Sequence, residues 1–247
     1  MDARTGSTLL PAAGIVLAGG QSRRMGRDKA LLPTPDGPLL HRIARTLATT
    51  CAQVLVVDRP PGRYRALGWP LVLDRHPGQG PLAGLHAGLE AMAYPYGLFV
   101  ACDMPGLTPA VARFLLTEAL AAPGDEPADA VVPLRAGRPE PLLAVYARRL
   151  APLAGRLLEA GGGPLRALLD SPGVRVRWVE EDRLRRVDPT LACLVNVNTP
   201  ADWAAWQAAE DAGAAGRGDP PGRGTPPGDA HGTAGRPGAA APREGSP

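Results

Sequence analysis

Cysteine is scarce in this chain. Its 247 residues include three cysteines, Cys51, Cys102 and Cys193, which are odd in number and far apart. No two of them have the short spacing of a zinc finger, and the pattern does not fit a disulfide framework. We therefore expect ordinary buried thiols in a reducing compartment, which predicts a cytoplasmic location.

Aromatic residues are scarce too, at 4% of the chain. A protein that stacks nucleic-acid bases needs aromatic side chains, so the composition disfavours that class. The net charge of +3 comes from basic residues that are scattered rather than gathered in a stripe. Such a balance suits a small anionic substrate equally well. Composition leaves the partner open; the motifs below favour a small molecule and no nucleic acid.

Long uninterrupted apolar runs are absent. Residues 5–22 carry no charge, but Pro11 and four glycines interrupt them. No compact apolar segment of a signal peptide remains. Nothing else approaches the length of a membrane span, so we expect no membrane partner.

The last 37 residues, 211–247, lack every large apolar side chain. They hold 10 Gly and 7 Pro, with no Val, Ile, Leu, Met, Phe, Trp or Tyr. Such a segment cannot bury enough surface to offset the entropy that it would lose on folding. We predict a disordered tail over 211–247 and a single domain over residues 1–210.

Apolar runs typical of strands alternate with stretches typical of helices. The predicted strands are residues 14–17, 54–57, 71–73, 98–101, 130–132, 142–146 and 174–179. The predicted helices are residues 39–50, 82–92, 109–120, 150–158, 164–169 and one that begins near Pro200. This alternation predicts an α/β fold with three α/β/α layers around a Rossmann-like, mostly parallel sheet.

Polar features stand where several predicted strands end. The pair Gly19-Gly20 follows the first strand, and Asp58, Asp74 and Asp103 each fall at or just after a later one. Ligands of such sheets bind beyond the carboxyl ends of the strands. We therefore expect these four features to converge at one edge.

The segment Leu17–Leu32 has the composition of a phosphate-binding loop. Its glycines let the backbone approach a phosphate and present N–H groups to it. Arg24 and Lys29 add positive charge that neutralises a triphosphate. The spacing fits neither a Walker loop, since Ala30 follows Lys29, nor the glycine fingerprint of dinucleotide-binding folds.

This segment resembles the signature of the molybdenum cofactor guanylyltransferases. The matching residues are Leu17-Ala18-Gly19-Gly20, Arg24-Met25-Gly26, Asp28-Lys29, Gly80-Pro81-Leu82-Ala83-Gly84-Leu85, Cys102-Asp103-Met104-Pro105, Arg138-Pro139-Glu140-Pro141-Leu142 and Asn196-Val197-Asn198-Thr199-Pro200. The resemblance spans residues 14–206 and implies the fold of the nucleotide-diphospho-sugar transferases. It also implies transfer of GMP from GTP to the terminal phosphate of molybdopterin, with release of pyrophosphate.

The resemblance assigns roles to individual positions. It implies nucleotide contacts for Leu17, Ala18, Gly19, Gly20, Gly26, Lys29, Asp58, Asp74 and Asp103, with Asp58 standing where the family usually has asparagine. It implies catalytic roles for Lys29, Asp103 and Arg24. It also implies that Asp103 holds Mg²⁺, a hard cation that takes one or two protein carboxylates together with phosphates and waters.

Residues beside these motifs have plainer expectations. We expect Asp28 to position Lys29 or to cap a turn. Asn196 and Asn198 are expected in a turn beside the site. Trp203 and Trp206, at i and i+3 of the last predicted helix, are expected in the core.

Other functions stay open at this point. A cytidylyltransferase for the same pterin, or a nucleotidyltransferase for another small phosphate, has the same fold. A nucleotide-binding adaptor without catalysis is a second alternative. A Rossmann oxidoreductase is disfavoured by the missing glycine fingerprint. The resemblance further implies GTP and molybdopterin as small-molecule partners, and transient contact with molybdoenzymes or their chaperones.

Overall fold

The computed structural model describes residues 8–20, 25–120 and 127–215, with side chains up to residue 212. The chain divides into two units, Met1–Ala208 and Ala209–Pro247. The first contains the whole sheet, and the second is described only over residues 209–215, which are helical. Most of the predicted tail therefore lies outside the described residues, and its disorder stays a prediction.

Ten strands are found in the described residues. They are β1 (Leu10–Leu17), β2 (Pro33–Thr34), β3 (Gly37–Pro38), β4 (Cys51–Asp58), β5 (Leu71–Leu73), β6 (Tyr96–Ala101), β7 (Ala130–Arg135), β8 (Arg138–Pro139), β9 (Leu143–Ala147) and β10 (Val176–Val179). The strands β2 and β3 form a separate hairpin.

Seven α-helices accompany the strands in the part of the chain that the structure describes. They are α1 (Leu39–Ala48), α2 (Pro81–Ala91), α3 (Pro109–Leu120), α4 (Ala151–Glu159), α5 (Leu165–Leu169), α6 (Glu181–Leu184) and α7 (Pro200–Ala215). Within these residues no helix has both the length and the apolar character that crossing a membrane requires.

The main sheet has the order β10-β7-β9-β6-β1-β4-β5, and β8 pairs with β7. Strand β1 is parallel to both of its neighbours, whereas β9 runs antiparallel to β6 and β7. The chain moves outward from β1 through β4 to β5 and then returns to place β6 on the other side of β1. This reversal opens a crevice at the carboxyl end of β1, the usual ligand position in such sheets.

Two apolar clusters lie on opposite faces of the sheet. Alternate side chains of β1 enter different clusters, Val16 joining α1 and α3 and Ile15 joining α2 and α4. This follows from the two-residue period of a strand. At Gly14 an added Cβ would lie 2.8 Å from Cβ of Leu47, so the glycine lets α1 pack directly on the strand. The three-layer prediction is confirmed.

The predicted elements are present with small shifts at their ends. Strand β5 and helix α3 have the predicted bounds, and α2 begins one residue earlier than predicted. Strands β1 and β4 begin several residues earlier than predicted, because the sheet continues into less apolar sequence. The hairpin β2-β3, the strand β8 and the helix α6 were not predicted, since such short elements carry almost no periodic signal.

Candidate active site

A cavity of about 370 Å³ opens where the parallel strands β1, β4 and β6 end. Its volume falls within the range of sites for small molecules. The residues that line it are Leu17, Gly19, Gly20, Lys29, Val57, Asp58, Arg59, Asp74, Gly78, Gly80, Pro81, Gly84, Ala101, Cys102, Asp103 and Leu142. The structure thus brings the glycine pair and the three strand-end aspartates to one edge, as expected.

The glycine pair forms one wall of the cavity. Among the described residues, the amides of Gly19 and Gly20 donate no hydrogen bond. The preceding backbone is occupied, because the amide of Ala18 donates to Val57 O at 2.8 Å and the carbonyl of Leu17 accepts from the amide of Cys102 at 3.0 Å. Within the described part of this loop, the two glycine amides therefore have no hydrogen-bond acceptor in the protein and could donate to a bound anion.

Lys29 projects into the same cavity from a short 3-10 helix, Lys29–Leu31. Its Nζ donates to Oδ2 of Asp103 at 3.0 Å and to Oδ1 of Asn198 at 2.8 Å. The side chain of Lys29 is only 12% exposed, so its charge acts in a partly desolvated setting where electrostatic attraction is stronger than in water. This geometry holds a cation in the cavity that the glycine pair also lines.

Asp28 caps that helix. Its Oδ1 accepts from the amide of Ala30 at 3.1 Å, and the hydroxyl of Tyr64 lies 2.8 Å from each carboxylate oxygen. Burial is the main cause that raises the pKa of Tyr64, so the phenol remains a hydrogen-bond donor. Asp28 therefore positions Lys29, which agrees with its expected role as a turn cap.

Asp103 stands two residues after the end of β6 and lines the same cavity as the glycine pair. Its backbone carbonyl accepts from the amide of Val197 at 2.8 Å. Of its two carboxylate oxygens, only Oδ2 accepts a hydrogen bond within the described residues. No cluster of three metal-ligating side chains exists in those residues. One carboxylate with a free oxygen nevertheless fits Mg²⁺, which completes its shell with phosphates and waters.

A capped helix places Asn198 against Lys29. Oδ2 of Asp202 accepts from the amides of Asn198 and Thr199 at 2.8 Å each, and Thr199 Oγ1 accepts from the amide of Asp202. These hydrogen bonds lower the pKa of Asp202. The sequence indicated the helix start but not the contact of Asn198 with Lys29, for which the spacing Asn-Thr-Pro-x-Asp is the only local signal.

Asp58 and Asp74 both line the cavity, and within the described residues both carboxylate oxygens of Asp58 but only Oδ1 of Asp74 accept hydrogen bonds. Asp58 is fully buried, and its oxygens accept from the amides of Arg59 at 2.7 Å and Arg63 at 2.6 Å. Asp74 is 6% exposed and accepts from the amide of His76 at 2.7 Å. The structure thus gives Asp58 a role in holding its own loop rather than a free oxygen for a nucleotide.

Three other predicted site residues need separate mention. Arg24 lies outside the described residues. Ala18 is buried and does not line the cavity. Its backbone N–H and carbonyl both form hydrogen bonds within the protein. Gly26 does not line it either; its φ of +69° is the left-handed conformation that glycine adopts most readily. Sequence spacing could not show either difference.

The cavity contains no activated thiol. All three cysteines are buried and free, as predicted. Burial is the main cause that raises the pKa of Cys102, which lines the cavity, to about 12. The thiol is therefore neutral near pH 7, and covalent catalysis through a thiolate is excluded there.

Comparison with known proteins places these features in context. Residues 14–177 match the family model described as "MobA-like NTP transferase domain". A protein of Pelotomaculum thermopropionicum named probable molybdenum cofactor guanylyltransferase is 36% identical over 78% of this chain and 91% of its own length. A protein of Desulfosudis oleivorans named molybdenum cofactor guanylyltransferase is 36% identical over 81% and 96%.

A solved structure supports the same assignment. The crystal structure of molybdopterin-guanine dinucleotide biosynthesis protein A from Archaeoglobus fulgidus superposes with a TM-score of 0.68. It is 27% identical and covers 82% of this chain and 99% of its own. The fold of the nucleotide-diphospho-sugar transferases, expected from the resemblance, is confirmed.

Proposed function

Since this chain belongs to the MobA-like NTP transferase family and is a nucleotidyltransferase, we propose that it transfers GMP from GTP to the terminal phosphate of molybdopterin. Pyrophosphate is the second product. One observation supports the proposal: the hydrogen-bonded pair Lys29–Asp103 and the glycines Gly19 and Gly20 line the same cavity at the switch point of the sheet. The names of the similar proteins support the choice of GTP and of the pterin acceptor.

The residues of the cavity divide the work of binding. The amides of Gly19 and Gly20 and the ammonium of Lys29 bind the triphosphate. Backbone N–H groups donate hydrogen bonds to phosphate oxygens, and the ammonium adds a positive charge. Asn198 holds Lys29 in place through its Oδ1 oxygen. Leu142, at the end of the segment that resembles the family's pterin region, lines the cavity and supports an acceptor position there.

A divalent metal is typical of this class of transferase, and we propose Mg²⁺ with Asp103 as its protein ligand. When bound, the ion supplies positive charge that neutralises the phosphate oxygens around the reacting phosphorus. Asp103 orients its carboxylate from the end of a rigid strand, with Oδ1 available. The glycine amides and Lys29 share the charge neutralisation.

The transfer needs no side-chain general base. The acceptor phosphate attacks the α-phosphorus of GTP, a new P–O bond forms, and the bond to the pyrophosphate oxygen breaks. Because the second pKa of a phosphate ester is about 6, the nucleophile is already anionic near pH 7. Lys29, Asp103 and the glycine amides then act by positioning and by electrostatic stabilisation.

Two further proposals concern setting and partners. Three separated, buried free thiols support a reducing compartment, and we place the enzyme in the cytoplasm on that ground. Transfer of the product to molybdoenzymes or their chaperones remains an expectation that follows from the chemistry of the product.

A nucleotide panel tests the proposed function. The full-length protein is incubated with Mg²⁺, molybdopterin and GTP, CTP, ATP or UTP in turn, and pyrophosphate and dinucleotide products are quantified. We expect product with GTP well above the others. A preference for CTP would replace guanylyl by cytidylyl transfer, and GTP binding without pyrophosphate release would establish the adaptor instead.

A further inference from the structure

Arg63 joins the two described ends of the glycine loop. Its Nη2 donates to the carbonyl of Ala18 at 3.2 Å, where the chain leaves β1. Its Nη1 donates to Oδ2 of Asp28 at 3.0 Å, immediately before Lys29. One guanidinium group therefore spans the entry and the exit of the loop that carries the nucleotide-binding residues. The rigid fork of donors in arginine suits such a bridging contact.

The carboxylate of Asp58 holds Arg63 by hydrogen bonds. Its Oδ2 accepts from the amide of Arg63 at 2.6 Å, and its Oδ1 lies 3.3 Å from Nη2 of the same residue. Asp58 is fully buried at the end of β4, whereas the side chain of Arg63 is 37% exposed. The buried carboxylate thus holds both the backbone and the guanidinium of Arg63. We call Arg63 with its contacts to Ala18 and Asp28 the clamp, and Asp58 connects this clamp to the end of β4.

The clamp reaches the ammonium of Lys29 through Asp28. Asp28 accepts from Arg63 and from the hydroxyl of Tyr64, and it caps the 3-10 helix whose first residue is Lys29. The guanidinium of Arg63 also lies 4.8 Å from the centre of the Tyr64 ring, in a cation–π contact. Displacement of Asp28 would therefore move Lys29 relative to Asp103.

We propose that Arg63 is a positioning residue for nucleotidyl transfer, which clamps the neck of the glycine loop and presents Lys29 to the triphosphate, with Asp58 as its anchor. The inference rests on the proposed function and deepens it. It assigns to Asp58 the role of anchoring the clamp. It also predicts that an arginine outside the lining of the cavity controls affinity for the nucleotide.

The test compares Arg63→Ala with Arg65→Ala, an exposed arginine two residues on that forms no ion pair among the described residues. Affinity for GTP is measured by calorimetry, separately from turnover, so that failure to transfer GMP would not obscure the result. We expect Arg63→Ala to weaken GTP binding by about tenfold or more, the scale of one lost charged hydrogen bond. Arg65→Ala is expected to bind GTP like the parent protein.

Three readouts separate positioning from mere structural support. Millimolar guanidinium is expected to restore part of the affinity of Arg63→Ala, while Arg63→Lys is expected to remain weak because a single ammonium cannot span both contacts. Hydrogen exchange at residues 25–32 is expected to accelerate in Arg63→Ala with the melting temperature largely retained. Tyr64→Phe, which removes only the hydroxyl at Asp28, should weaken binding in the same direction.

The proposal is overturned if Arg63→Ala binds GTP as tightly as Arg65→Ala. It is also overturned if the loss of affinity is accompanied by general loss of folding and is not rescued by guanidinium, while Tyr64→Phe binds normally. If the parent protein transfers no GMP in the nucleotide panel, that result contradicts the proposed function rather than the role of Arg63.

Discussion

The Nζ atom of Lys29 lies 3.0 Å from Oδ2 of Asp103, although 74 positions separate the two residues in the chain. The contact joins the loop after β1 to the turn after β6, the two strands that lie side by side at the centre of the sheet. Asn198, from a third segment, completes the arrangement through its contact with Lys29. The side chains of Lys29 and Asp103 are 12% and 23% exposed, so the ion pair is partly shielded from solvent.

Lys29 is the single lysine of the chain, and the other residues of the Lys and Arg total of 27 are arginines. The Nζ atom of Lys29 donates to both Asp103 and Asn198, a geometry that the planar guanidinium of an arginine would not reproduce. We expect both Lys29→Met and Lys29→Arg to lose about 10²-fold or more in turnover, the scale of one removed electrostatic stabiliser. Turnover and the circular dichroism spectrum are measured together; near-normal turnover in Lys29→Met would contradict the role.

An amine-selective reagent offers an independent check of the same residue. Besides the N-terminal amine, Lys29 carries the only primary amine in the sequence. We expect acylation of Lys29 to abolish GMP transfer, and we expect bound GTP to slow the acylation. The modified peptide is identified by mass spectrometry. Full activity after complete acylation of Lys29 would refute its phosphate contact.

Asp103→Asn removes the charge that we propose holds Mg²⁺ while it preserves the shape of the side chain. We expect turnover to fall by about 10²-fold or more and the Mg²⁺ concentration for half-maximal activity to rise. Asp36→Asn, on the exposed turn between β2 and β3, is the matched control and should behave like the parent protein. An unchanged Mg²⁺ requirement in Asp103→Asn would show that another residue is the metal ligand.

The cap at α7 makes stability depend on pH. The folded-state pKa of Asp202 is lowered by the amides of Asn198 and Thr199. Its contribution is therefore present above the unfolded pKa, about 3.9, and is lost as pH falls through the lower folded value. We expect Asp202→Asn to be less stable than the parent at pH 7, with the difference shrinking below about pH 4. Urea unfolding at several pH values measures this, and a constant difference would exclude the cap as its cause.

Gly106 has no room for a side chain. An added Cβ would lie 2.1 Å from the backbone oxygen of Ala192, so Gly106→Ala must displace one of two backbone segments beside the site. We expect a loss of about 1–3 kcal/mol in the free energy of unfolding. Gly20→Ala is the control for stability, because its Cβ meets nothing within 4 Å. Equal urea midpoints for the two variants would contradict this packing.

Much of the architecture was readable from local pattern. Apolar runs and helical spacing predicted the strands and helices, because inner strands of a parallel sheet are buried on both faces and a packed helix buries one face with a period of 3.6. The glycines after β1 and Asp103 after β6 were found by a second rule. In parallel sheets, binding residues follow the carboxyl ends of strands. The family signature added the expected roles and the acceptor.

Contacts between distant segments were not readable in that way. Sequence patterns did not indicate that the carboxylate of Asp58 accepts from the amide of Arg63, or that the backbone of Ala18 is hydrogen-bonded within the protein. Neither Tyr64 on Asp28 nor Asn198 on Lys29 had a periodic signal. Each depends on where a loop turns after a strand ends, and side-chain chemistry alone does not determine that path.

By itself, the sequence determined which residues are buried in the sheet and which chemical groups follow the strands, because local composition and spacing carry that information. Only the tertiary structure decided which of those groups hydrogen-bond within the protein, such as the carboxylate of Asp58, and which have no such partner among the described residues, such as the amides of Gly19 and Gly20. The physical reason is that hydrogen bonding is a matter of distances of about 3 Å between atoms whose positions are set by segments far apart in the chain.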